Sequence, residues 1–377
     1  MKRLRHLRFL RVIGLLAAVL VLAACGTMAT RSDTPYRVVA YDTVEAGAPV
    51  PDVDKLDVLN FAFAVVRDGR VVLPDDAATR LDQRIALKQD HPHLKVVVSV
   101  GGWGAGGFSE AAATPAGRQA FADSAARLLV AHHADGLDVD WEYPGSDLAK
   151  IGASPDDRAN FTALLRTLRE TLQRTAATQG RAEPYLLTIA SADSQYVDGI
   201  DLAAVAPLLD WFNVMTYDFN NSLTPLTGHH SGLYPAAVAP SEARTTSRAV
   251  HQYLAAGVPA DKIVIGAAFY ALRFDGVKPE HDGLYQSYDK FGGAIAWRDL
   301  KRDFINRQGY QRHWDDRADA PYLWNPTTRS LIVYDDPASL AAKAGYVKLH
   351  HLGGIMFWQA GQDDDGELLT AIWEGLH

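Results

Sequence analysis

Short apolar runs alternate along the 377-residue chain with longer segments in which apolar residues recur at helical spacing. This alternation predicts an α/β fold of βα units around a parallel sheet, because each strand needs a helix to cover its apolar face. Eight runs read as strands, which is the number in a closed (β/α)8 TIM barrel, and such barrels carry their active sites at the carboxyl ends of the strands. The predicted strands are Arg37–Tyr41, Val58–Val65, Lys95–Gly101, Gly136–Trp141, Tyr185–Ala190, Trp211–Tyr217, Lys262–Phe269 and Gly354–Trp358.

Residues 275–334 interrupt this alternation between the seventh strand and the next helix, and they are rich in tyrosine and tryptophan. A compact insertion explains them better than a loop, since structureless loops of that length are uncommon. We assign residues 36–274 and 335–377 to the barrel and 275–334 to the insertion, whose own core we expect most of its aromatic residues to form. The predicted helices of the barrel include Ala116–His132, Asp156–Thr178, Ser241–Ala256, Pro337–His350 and Glu367–Trp373.

The amino terminus reads as a targeting segment. Five basic residues precede an apolar run from Ile13 to Ala24 that is short for a membrane span but typical of a secretory signal. Leu22-Ala-Ala-Cys25 resembles the lipobox of bacterial lipoproteins, which implies cleavage after residue 24, a lipid on Cys25 and a tether over residues 25–35. The alternative is a plain signal peptide with an incidental cysteine. Cys25 is the only cysteine, which favours the lipid and rules out an intramolecular disulfide.

The formal net charge of the chain disfavours some classes of binding partner. Loss of residues 1–24 removes five basic residues and no acidic ones, which changes the formal net charge from −8 to −13. Such an acidic domain is a poor ligand for nucleic acid or for an anionic membrane surface, whereas a neutral polysaccharide is compatible with it. Because Gly26 follows the cysteine, where aspartate is the usual inner-membrane retention mark, we expect an exported lipoprotein of the outer membrane, attached to the membrane through its lipid only.

The segment DGLDVDWEYP, residues 135–144, carries the strongest chemical signal. Side chains of a strand alternate between its faces, so Asp138, Asp140 and Glu142 share one face while Asp135 has the wrong parity and more plausibly fixes the strand's start. Close carboxyl groups cannot all ionise freely, and at least one of them is expected to keep its proton near neutral pH. A solvated acidic edge is the alternative reading. The apolar residues between the acids favour a buried strand and a general acid.

This segment resembles the DxxDxDxE signature of glycoside hydrolase family 18, the chitinase family. Three further motifs resemble that family in the same order: Ser99-Val-Gly101-Gly102-Trp103, Met215-Thr-Tyr217-Asp218 and Gly353-Gly-Ile-Met-Phe-Trp358. The resemblance implies a barrel with a small α+β insertion that forms one wall of a substrate cleft. It also implies hydrolysis of β-1,4-linked N-acetylglucosamine by substrate-assisted catalysis, an exception among retaining glycosidases.

The family resemblance also implies the catalytic roles. Glu142 would protonate the glycosidic oxygen, after which the 2-acetamido oxygen of the substrate attacks the anomeric carbon and forms an oxazolinium ion. Asp140 would hold the acetamide N–H, and Asp138 would share a proton with Asp140. Tyr217 would donate a hydrogen bond to the acetamide oxygen. Glu142 would then act as the base toward water, so that the product keeps the β configuration.

Seven residues are candidates for substrate binding. Trp358 would stack under a sugar ring, and Tyr270 ends the seventh strand where the family usually continues with Gly-Arg. Here Ala271-Leu272 follows, which puts the arginine contact in doubt, although Arg273 is one residue further on. Met215 could equally fill the core, and Tyr41 and Ser99 could have plain structural roles or hydrogen-bond Asp138. The full set is Trp358, Met215, Asp218, Trp103, Tyr41, Ser99 and Tyr270.

Other chemistries find little support in the sequence. None of the 13 histidines has a metal-binding spacing, and Asp363-Asp364-Asp365 lacks the rest of a calcium loop, so no metal or cofactor is predicted. We therefore predict a monomeric, exported chitinase that prefers chito-oligosaccharides or chain ends. Two alternatives stay open, an endo-β-N-acetylglucosaminidase acting on N-glycans and a non-catalytic chitin-binding lectin; the presence of Glu142 disfavours the lectin.

Overall fold

The computed structural model describes residues 36–43 and 50–377, so that the predicted signal segment and Cys25 lie outside the described residues. The helices are α1 (Ala77–Ala86), α2 (Phe108–Ala112), α3 (Pro115–His132), α4 (Asp157–Thr178), α5 (Leu202–Val205), α6 (Thr246–Ala255), α7 (Trp297–Asp303), α8 (Pro337–His350) and α9 (Glu367–Leu376). The strands are β1 (Arg37–Asp42), β2 (Val58–Arg67), β3 (Arg70–Val72), β4 (Lys95–Gly101), β5 (Gly136–Asp140), β6 (Leu186–Ser191), β7 (Trp211–Val214), β8 (Ile263–Ala268), β9 (Tyr270–Asp275), β10 (Lys290–Ala296), β11 (Gln311–Asp315), β12 (Ala320–Asn325), β13 (Ser330–Val333) and β14 (Gly354–Trp358).

Eight parallel strands form the closed barrel that the sequence predicted. The order runs β1-β2-β4-β5-β6-β7-β8-β14, and β14 pairs again with β1, while β3 folds back on the end of β2 as a hairpin. The strands are apolar over most of their length because both faces are covered, one by the barrel interior and the other by the helices. The barrel therefore brings the carboxyl ends of all eight strands to one mouth.

Three predicted strands end earlier than expected, and one of them is β8, which stops at Ala268 instead of Phe269. The β5 strand stops at Asp140, and β7 stops at Val214 instead of Tyr217. Beyond β7 a side chain replaces the backbone ladder: the Thr216 hydroxyl donates to the Gly266 carbonyl and accepts from the Gly266 N–H, both at 2.8 Å. The residues that follow Val214 are thereby released from strand geometry, and they can turn into the barrel mouth.

A second, antiparallel sheet joins the barrel between β8 and α8. Its strand order is β10-β9-β13-β12-β11, and α7 packs beside it. Phe274 is fully buried at its centre with its ring 4.9 Å from Tyr288 and 5.5 Å from Phe291. Some aromatic residues of this segment thus form a local apolar core, while Phe291 also lines the cleft at the barrel mouth.

The chain returns from this sheet to the barrel through two adjacent acids. Asp336 caps α8 in a capping box with Ser339. Asp335 is fully buried, accepts from Lys343 at 2.5 Å and from the Ala268 N–H at 3.1 Å, and so joins α8 to the end of β8. Loss of either partner would leave a buried charge unpaired, so this pair fixes how the antiparallel sheet meets the barrel.

The predicted helices differ from the observed ones mainly at α6. The predicted start at Ser241 is five residues early, because Thr245 caps the helix by accepting from the Arg248 N–H. Four helices were not predicted, namely α1, α2, α5 and α7. Within the described residues no helix has both the length and the apolar character needed to cross a bilayer.

Candidate active site

A cleft of about 660 Å³ opens at the carboxyl ends of the barrel strands and is bordered on one side by the antiparallel sheet. It brings together nine of the eleven residues that the sequence singled out within the described part of the chain. Asp138 and Ser99 lie beneath its floor and are fully buried. The nine that line it are Tyr41, Trp103, Asp140, Glu142, Met215, Tyr217, Asp218, Tyr270 and Trp358.

Asp138, Asp140 and Glu142 form a row of carboxyl groups, which we call the acid row. Asp138 is the base of this row, and four hydrogen-bond donors surround it. Oδ2 accepts from the Tyr41 hydroxyl at 2.9 Å and from the Ser99 hydroxyl at 2.7 Å. Oδ1 accepts from the Thr188 hydroxyl at 2.6 Å and from the Asn213 amide at 3.1 Å. Burial raises the pKa of Asp138, and each of these hydrogen bonds opposes that shift by favouring the ionised form.

The barrel register explains how these donors meet. Ser99 on β4 and Thr188 on β6 lie directly beside Asp138 in the two neighbouring strand pairs. Asn213 reaches across from β7, and the Trp211 indole N–H donates to its side-chain oxygen at 2.9 Å, which turns the amide N–H₂ toward Asp138. With Tyr41 on β1, side chains from four other strands thus hold Asp138 in place.

Asp140 lies two residues further along β5 and is also buried, but it lacks a comparable set of hydrogen bonds. Its Oδ1 atom has no hydrogen-bond partner, and among the described residues no hydrogen bond joins its carboxyl group to that of Asp138. Burial, followed by repulsion from Glu142 and then Asp138, raises the pKa of Asp140 well above its ordinary value. The direct proton sharing between Asp138 and Asp140 stays a prediction, whereas the crowding of the carboxyl groups is a feature of the site.

Glu142 lies just beyond the end of β5 at the mouth of the row. Burial raises its pKa to about 7; a hydrogen bond with the Tyr143 hydroxyl opposes this shift, and the charge of Asp218 adds to it. The alternation expected for a strand persists here, because the Trp141 ring points to the other side and packs between Phe108 and Phe161 at 5.4 and 5.3 Å. A carboxyl group with this pKa can be protonated near neutral pH and can still act as a base.

Asp218 faces Glu142 from the segment after β7. It has a left-handed backbone with φ of 55°, and its Oδ1 atom accepts from the Tyr270 hydroxyl at 2.8 Å. The fully buried His230 ring lies 3.7 Å from the same oxygen. Arg273, the arginine that the sequence offers near this position, bonds through its side chain to Asp275 at 2.8 Å.

Aromatic rings form the floor of the cleft at one end. Trp358 stacks on Phe63 with ring centres 5.6 Å apart and planes 20° apart, and Tyr41 packs at 5.8 Å. Tyr217 also lines the cleft, and its hydroxyl donates to the Met356 sulfur, a weak acceptor, at 3.9 Å. A flat apolar platform beside a weakly bonded hydroxyl donor suits a sugar ring that carries an acceptor substituent.

Gly101 shows why the SVGG segment needs small residues. Its φ is 127°, and a Cβ atom at this position would lie 1.9 Å from the carbonyl oxygen of Asp140. The backbone of β4 therefore passes close to that of β5 at this point. Any side chain at Gly101 would displace Asp140 and, with it, the acid row.

Several residues of the site were not predicted. Thr188 and Asn213 hold the base, and each is a polar residue within a mostly apolar strand, which is a weak signal that a search for buried polar positions could detect. Arg244 lines the cleft, pairs with the buried Asp193 and donates to the Asp218 carbonyl at 3.2 Å. No local pattern marks Arg244, since it comes from the segment before α6. Across residues 36–43 and 50–377, no group of three or more His, Cys, Asp or Glu could hold a metal ion.

Comparison with known proteins places the site in a family. Residues 34–363 match the family model described as Glycosyl hydrolases family 18. Chitinase A1 of Niallia circulans is 40% identical over 78% of this chain and 44% of that protein, and chitinase B of Serratia marcescens is 32% identical over 83% and 74%. The chain therefore spans less than half of the first relative and about three quarters of the second. A solved family 18 N-acetylglucosaminidase from Paenibacillus barengoltzii is 42% identical, with a TM-score of 0.84 over 90% of this chain and 99% of that chain.

Proposed function

The chain belongs to glycoside hydrolase family 18, and from this premise we propose that it cleaves β-1,4-linked N-acetylglucosamine chains with retention of configuration. The observation that carries the proposal is the contrast within the acid row: Asp140 has a buried oxygen without a donor, next to a Glu142 whose pKa is raised to about 7. An acetamido sugar supplies the missing donor, because its N–H can bond to the Asp140 oxygen. It also supplies an acceptor for the Tyr217 hydroxyl.

In the proposed first step, the sugar rests on Trp358 and the Tyr217 hydroxyl donates to the acetamide oxygen. Glu142 transfers its proton to the glycosidic oxygen while the bond from that oxygen to the anomeric carbon breaks. The acetamide oxygen attacks the same carbon and forms the oxazolinium ion, whose positive charge Asp140 stabilises. The leaving chain departs with the proton.

In the second step, the ionised Glu142 takes a proton from water, and the water oxygen bonds to the anomeric carbon from the side that the leaving chain vacated. The carbon–oxygen bond of the oxazolinium ring breaks, and the acetamide is restored. Two inversions at one carbon leave the product in the β configuration, and Glu142 regains its proton for the next cycle. Asp138 stabilises the site from below, where four hydrogen bonds favour its ionised form against the effect of burial.

The anomer of fresh product tests this mechanism. Wild-type protein should release β product from chitotetraose, read by NMR before mutarotation, while Glu142→Gln, which keeps the shape and removes the acid, should release almost none. Initial α product would exclude the neighbouring-group mechanism. Binding of chitotetraose without any cleavage by the wild type would support the lectin alternative instead.

A second candidate function is the release of single N-acetylglucosamine units from chain ends. It is favoured by the N-acetylglucosaminidase from P. barengoltzii, which this chain matches over nearly the whole of that protein. Chromatography of the first products from chitotetraose distinguishes the two: monosaccharide and trisaccharide support end-wise release, while disaccharide alone supports cleavage within the chain. An N-glycan substrate in parallel tests the endo-β-N-acetylglucosaminidase alternative.

We also propose that the protein is exported and anchored by a lipid on Cys25, in the outer membrane where the cell has one. The basic start, the apolar run Ile13–Ala24 and the lipobox-like segment support this proposal. Mass spectrometry of the membrane-bound protein should find a lipid-modified amino terminus at Cys25. Cys25→Ala should leave the chain unlipidated, and recovery of the wild type as an unmodified soluble protein would contradict the proposal.

A further inference from the structure

Arg244 takes no part in the proposed chemistry, although its side chain lines the cleft and is only 16% exposed. Its Nε atom donates to the two carboxylate oxygens of Asp193 at 3.0 and 3.1 Å, and Nη2 donates to the same carboxylate. Asp193 follows β6 and is buried. A planar guanidinium that is held by two of its nitrogens has a fixed orientation. We call Arg244 and Asp193 together the clamp.

Two aromatic rings confine the guanidinium of Arg244 further. Its Cζ atom lies 4.8 Å from the ring centre of Tyr196 and 5.2 Å from that of Phe219. Phe219 is itself buried, and its N–H donates to the His230 carbonyl at 3.1 Å. Because the rings and Asp193 restrain the guanidinium, the direction of its remaining nitrogen, Nη1, is set by the protein.

Nη1 of Arg244 donates to the backbone carbonyl of Asp218 at 3.2 Å. The Asn221 amide donates to the same carbonyl at 3.3 Å. Asp218 has a left-handed backbone with φ of 55°, and a residue other than glycine keeps such a conformation only where its surroundings support it. The clamp therefore supports Asp218 from the end of β6, across the gap between two barrel strands.

The place of Asp218 matters because its negative charge helps to raise the pKa of Glu142. The Asp218 side chain is bonded to Tyr270 and lies 3.7 Å from the His230 ring, whereas the clamp acts on its backbone. The titratable groups that face Glu142 are Asp140, Tyr143, Tyr217, Asp218 and Tyr270.

The same two strands carry a similar ion pair at their amino ends. Arg169 donates to Asp210, just before β7, at 2.7 Å and to the Tyr185 carbonyl, just before β6, at 3.1 Å. Both pairs thus join a carboxylate near one strand to a carbonyl near the other. The Arg169 pair lies at the end of the barrel opposite the cleft, so it serves as a matched control for the clamp.

We propose that Arg244 is a positioning residue for the reaction: fixed on Asp193, it holds Asp218 where the Asp218 carboxylate faces Glu142. This inference rests on the proposed function and deepens it, because the clamp then sets the pH range in which Glu142 can act as the acid. Without the clamp, the Asp218 carboxylate would act on Glu142 from a longer distance and through more solvent.

The variant Arg244→Met/Asp193→Asn removes the clamp without changing the net charge. The alkaline limb of kcat/KM for chitotetraose should move to lower pH by up to about 0.5 pH unit, because Asp218 no longer raises the pKa of Glu142 as strongly. On the acidic side of the limb, kcat should fall about 3- to 10-fold, since the end of β7 is less well positioned. Arg169→Met/Asp210→Asn should leave the limb in place even where it lowers stability.

The variant Asp218→Asn separates two ways in which Arg244 could act. If the clamp acts through Asp218, adding Arg244→Met/Asp193→Asn to Asp218→Asn should move the limb no further. A shift that persists in the Asp218→Asn protein would overturn the proposal, because the clamp would then act on Glu142 directly. A limb at the wild-type position in the clamp variant, or an equal shift in the Arg169 control, would overturn it as well.

Arg244→Lys is a milder variant that keeps the positive charge and protects the test against misfolding. One ammonium group cannot replace the guanidinium at both Asp193 and the Asp218 carbonyl, so the limb should again move to lower pH. A limb identical to that of the wild type would count against the proposal. Carboxyl carbon NMR, with the Glu142 signal assigned by its loss in Glu142→Gln, measures the same shift without substrate. Failure of the wild type to cleave any oligomer would overturn the proposed function, while the NMR titration would still decide on the clamp.

Discussion

Asp138 and Asp140 lie two residues apart on one strand and are equally hidden from solvent, yet their surroundings differ completely. The base of the row, Asp138, has four donors from four other strands. The mouth of the row, formed by Asp140 and Glu142, has an oxygen without any donor and a carboxyl group with a pKa of about 7. Burial raises the pKa of both carboxyl groups; the four hydrogen bonds oppose that shift at Asp138, whereas neighbouring negative charges add to it at Asp140.

The same contrast separates structure from chemistry. The base is satisfied by the protein itself, so its hydrogen bonds stabilise the barrel whether or not substrate is present. At the mouth of the row, the unpaired oxygen of Asp140 gains a donor only when a ligand brings an N–H group. Until the ligand binds, the protein tolerates this unpaired buried oxygen. Substitutions at the base should therefore affect stability, and substitutions at the mouth should affect turnover.

The sharpest test exchanges each acid for its amide. Asp140→Asn should lower kcat on chitotetraose about 10²- to 10³-fold, because it removes the charge that stabilises the oxazolinium ion. Its free energy of unfolding should be unchanged or higher, since a carboxyl group disfavoured by burial and by neighbouring negative charges is replaced by a neutral amide. Asp138→Asn should instead lower the free energy of unfolding by about 1–3 kcal/mol, because its N–H₂ group would face donors.

Urea denaturation and steady-state kinetics on both variants check this pair. Equal losses of stability in Asp138→Asn and Asp140→Asn would contradict the division between base and mouth. Glu142→Gln is the reference for complete loss of the acid, and its stability should match that of the wild type or exceed it.

The pH dependence of the wild type reports on the mouth alone. Glu142 must carry its proton to act as the acid, and its pKa is raised from 4.5 to about 7, so activity is retained below about pH 7 and is lost above it. We expect kcat/KM for chitotetraose to fall tenfold for each pH unit on the alkaline side, with one ionisation. A profile that stays flat up to pH 9 would show that Glu142 is not the titrating acid.

A single donor at the base can be removed with little change of shape. Thr188→Val eliminates the hydrogen bond to Asp138 at 2.6 Å and should cost about 1–3 kcal/mol of unfolding free energy, because a buried acceptor loses one of its donors. Activity should fall by no more than about tenfold. Thr167→Val, whose hydroxyl bonds only to the Ala163 carbonyl within α4, is the matched control and should be nearly neutral. A loss of activity well above tenfold with little loss of unfolding free energy would show that Thr188 acts at the mouth of the row instead.

The sequence was sufficient to predict the acids at the mouth of the row, but it was insufficient to predict the donors that surround the base. Alternation along one strand places Asp138, Asp140 and Glu142 on one face, and this is local information. The donors Thr188 and Asn213 reach Asp138 only through the register of other strands, which no local pattern specifies. The eight barrel strands were predicted because each is a strongly apolar run. By contrast, β7 was predicted three residues too long, since its end depends on a bond between Thr216 and Gly266 that lie far apart in the chain.

The smallest expected effect comes from Asp218, which acts on the mouth through space. Its charge helps to raise the pKa of Glu142, so Asp218→Asn should move the alkaline limb of kcat/KM to lower pH. The shift should be about 0.5 unit, because the Asp218 side chain is 45% exposed and solvent screens its charge. Tyr270→Phe is the matched variant: it removes the hydrogen bond to Asp218 and keeps the charge, so the limb should stay in place.

Raising the salt concentration should shrink the shift in Asp218→Asn, since screening weakens interactions between partly exposed charges. Equal shifts in both variants would mean that the position of Asp218, and not its charge, controls Glu142. In that case the mouth would depend on a hydrogen-bonded scaffold, as the base does, and the contrast between the two ends of the row would be one of degree.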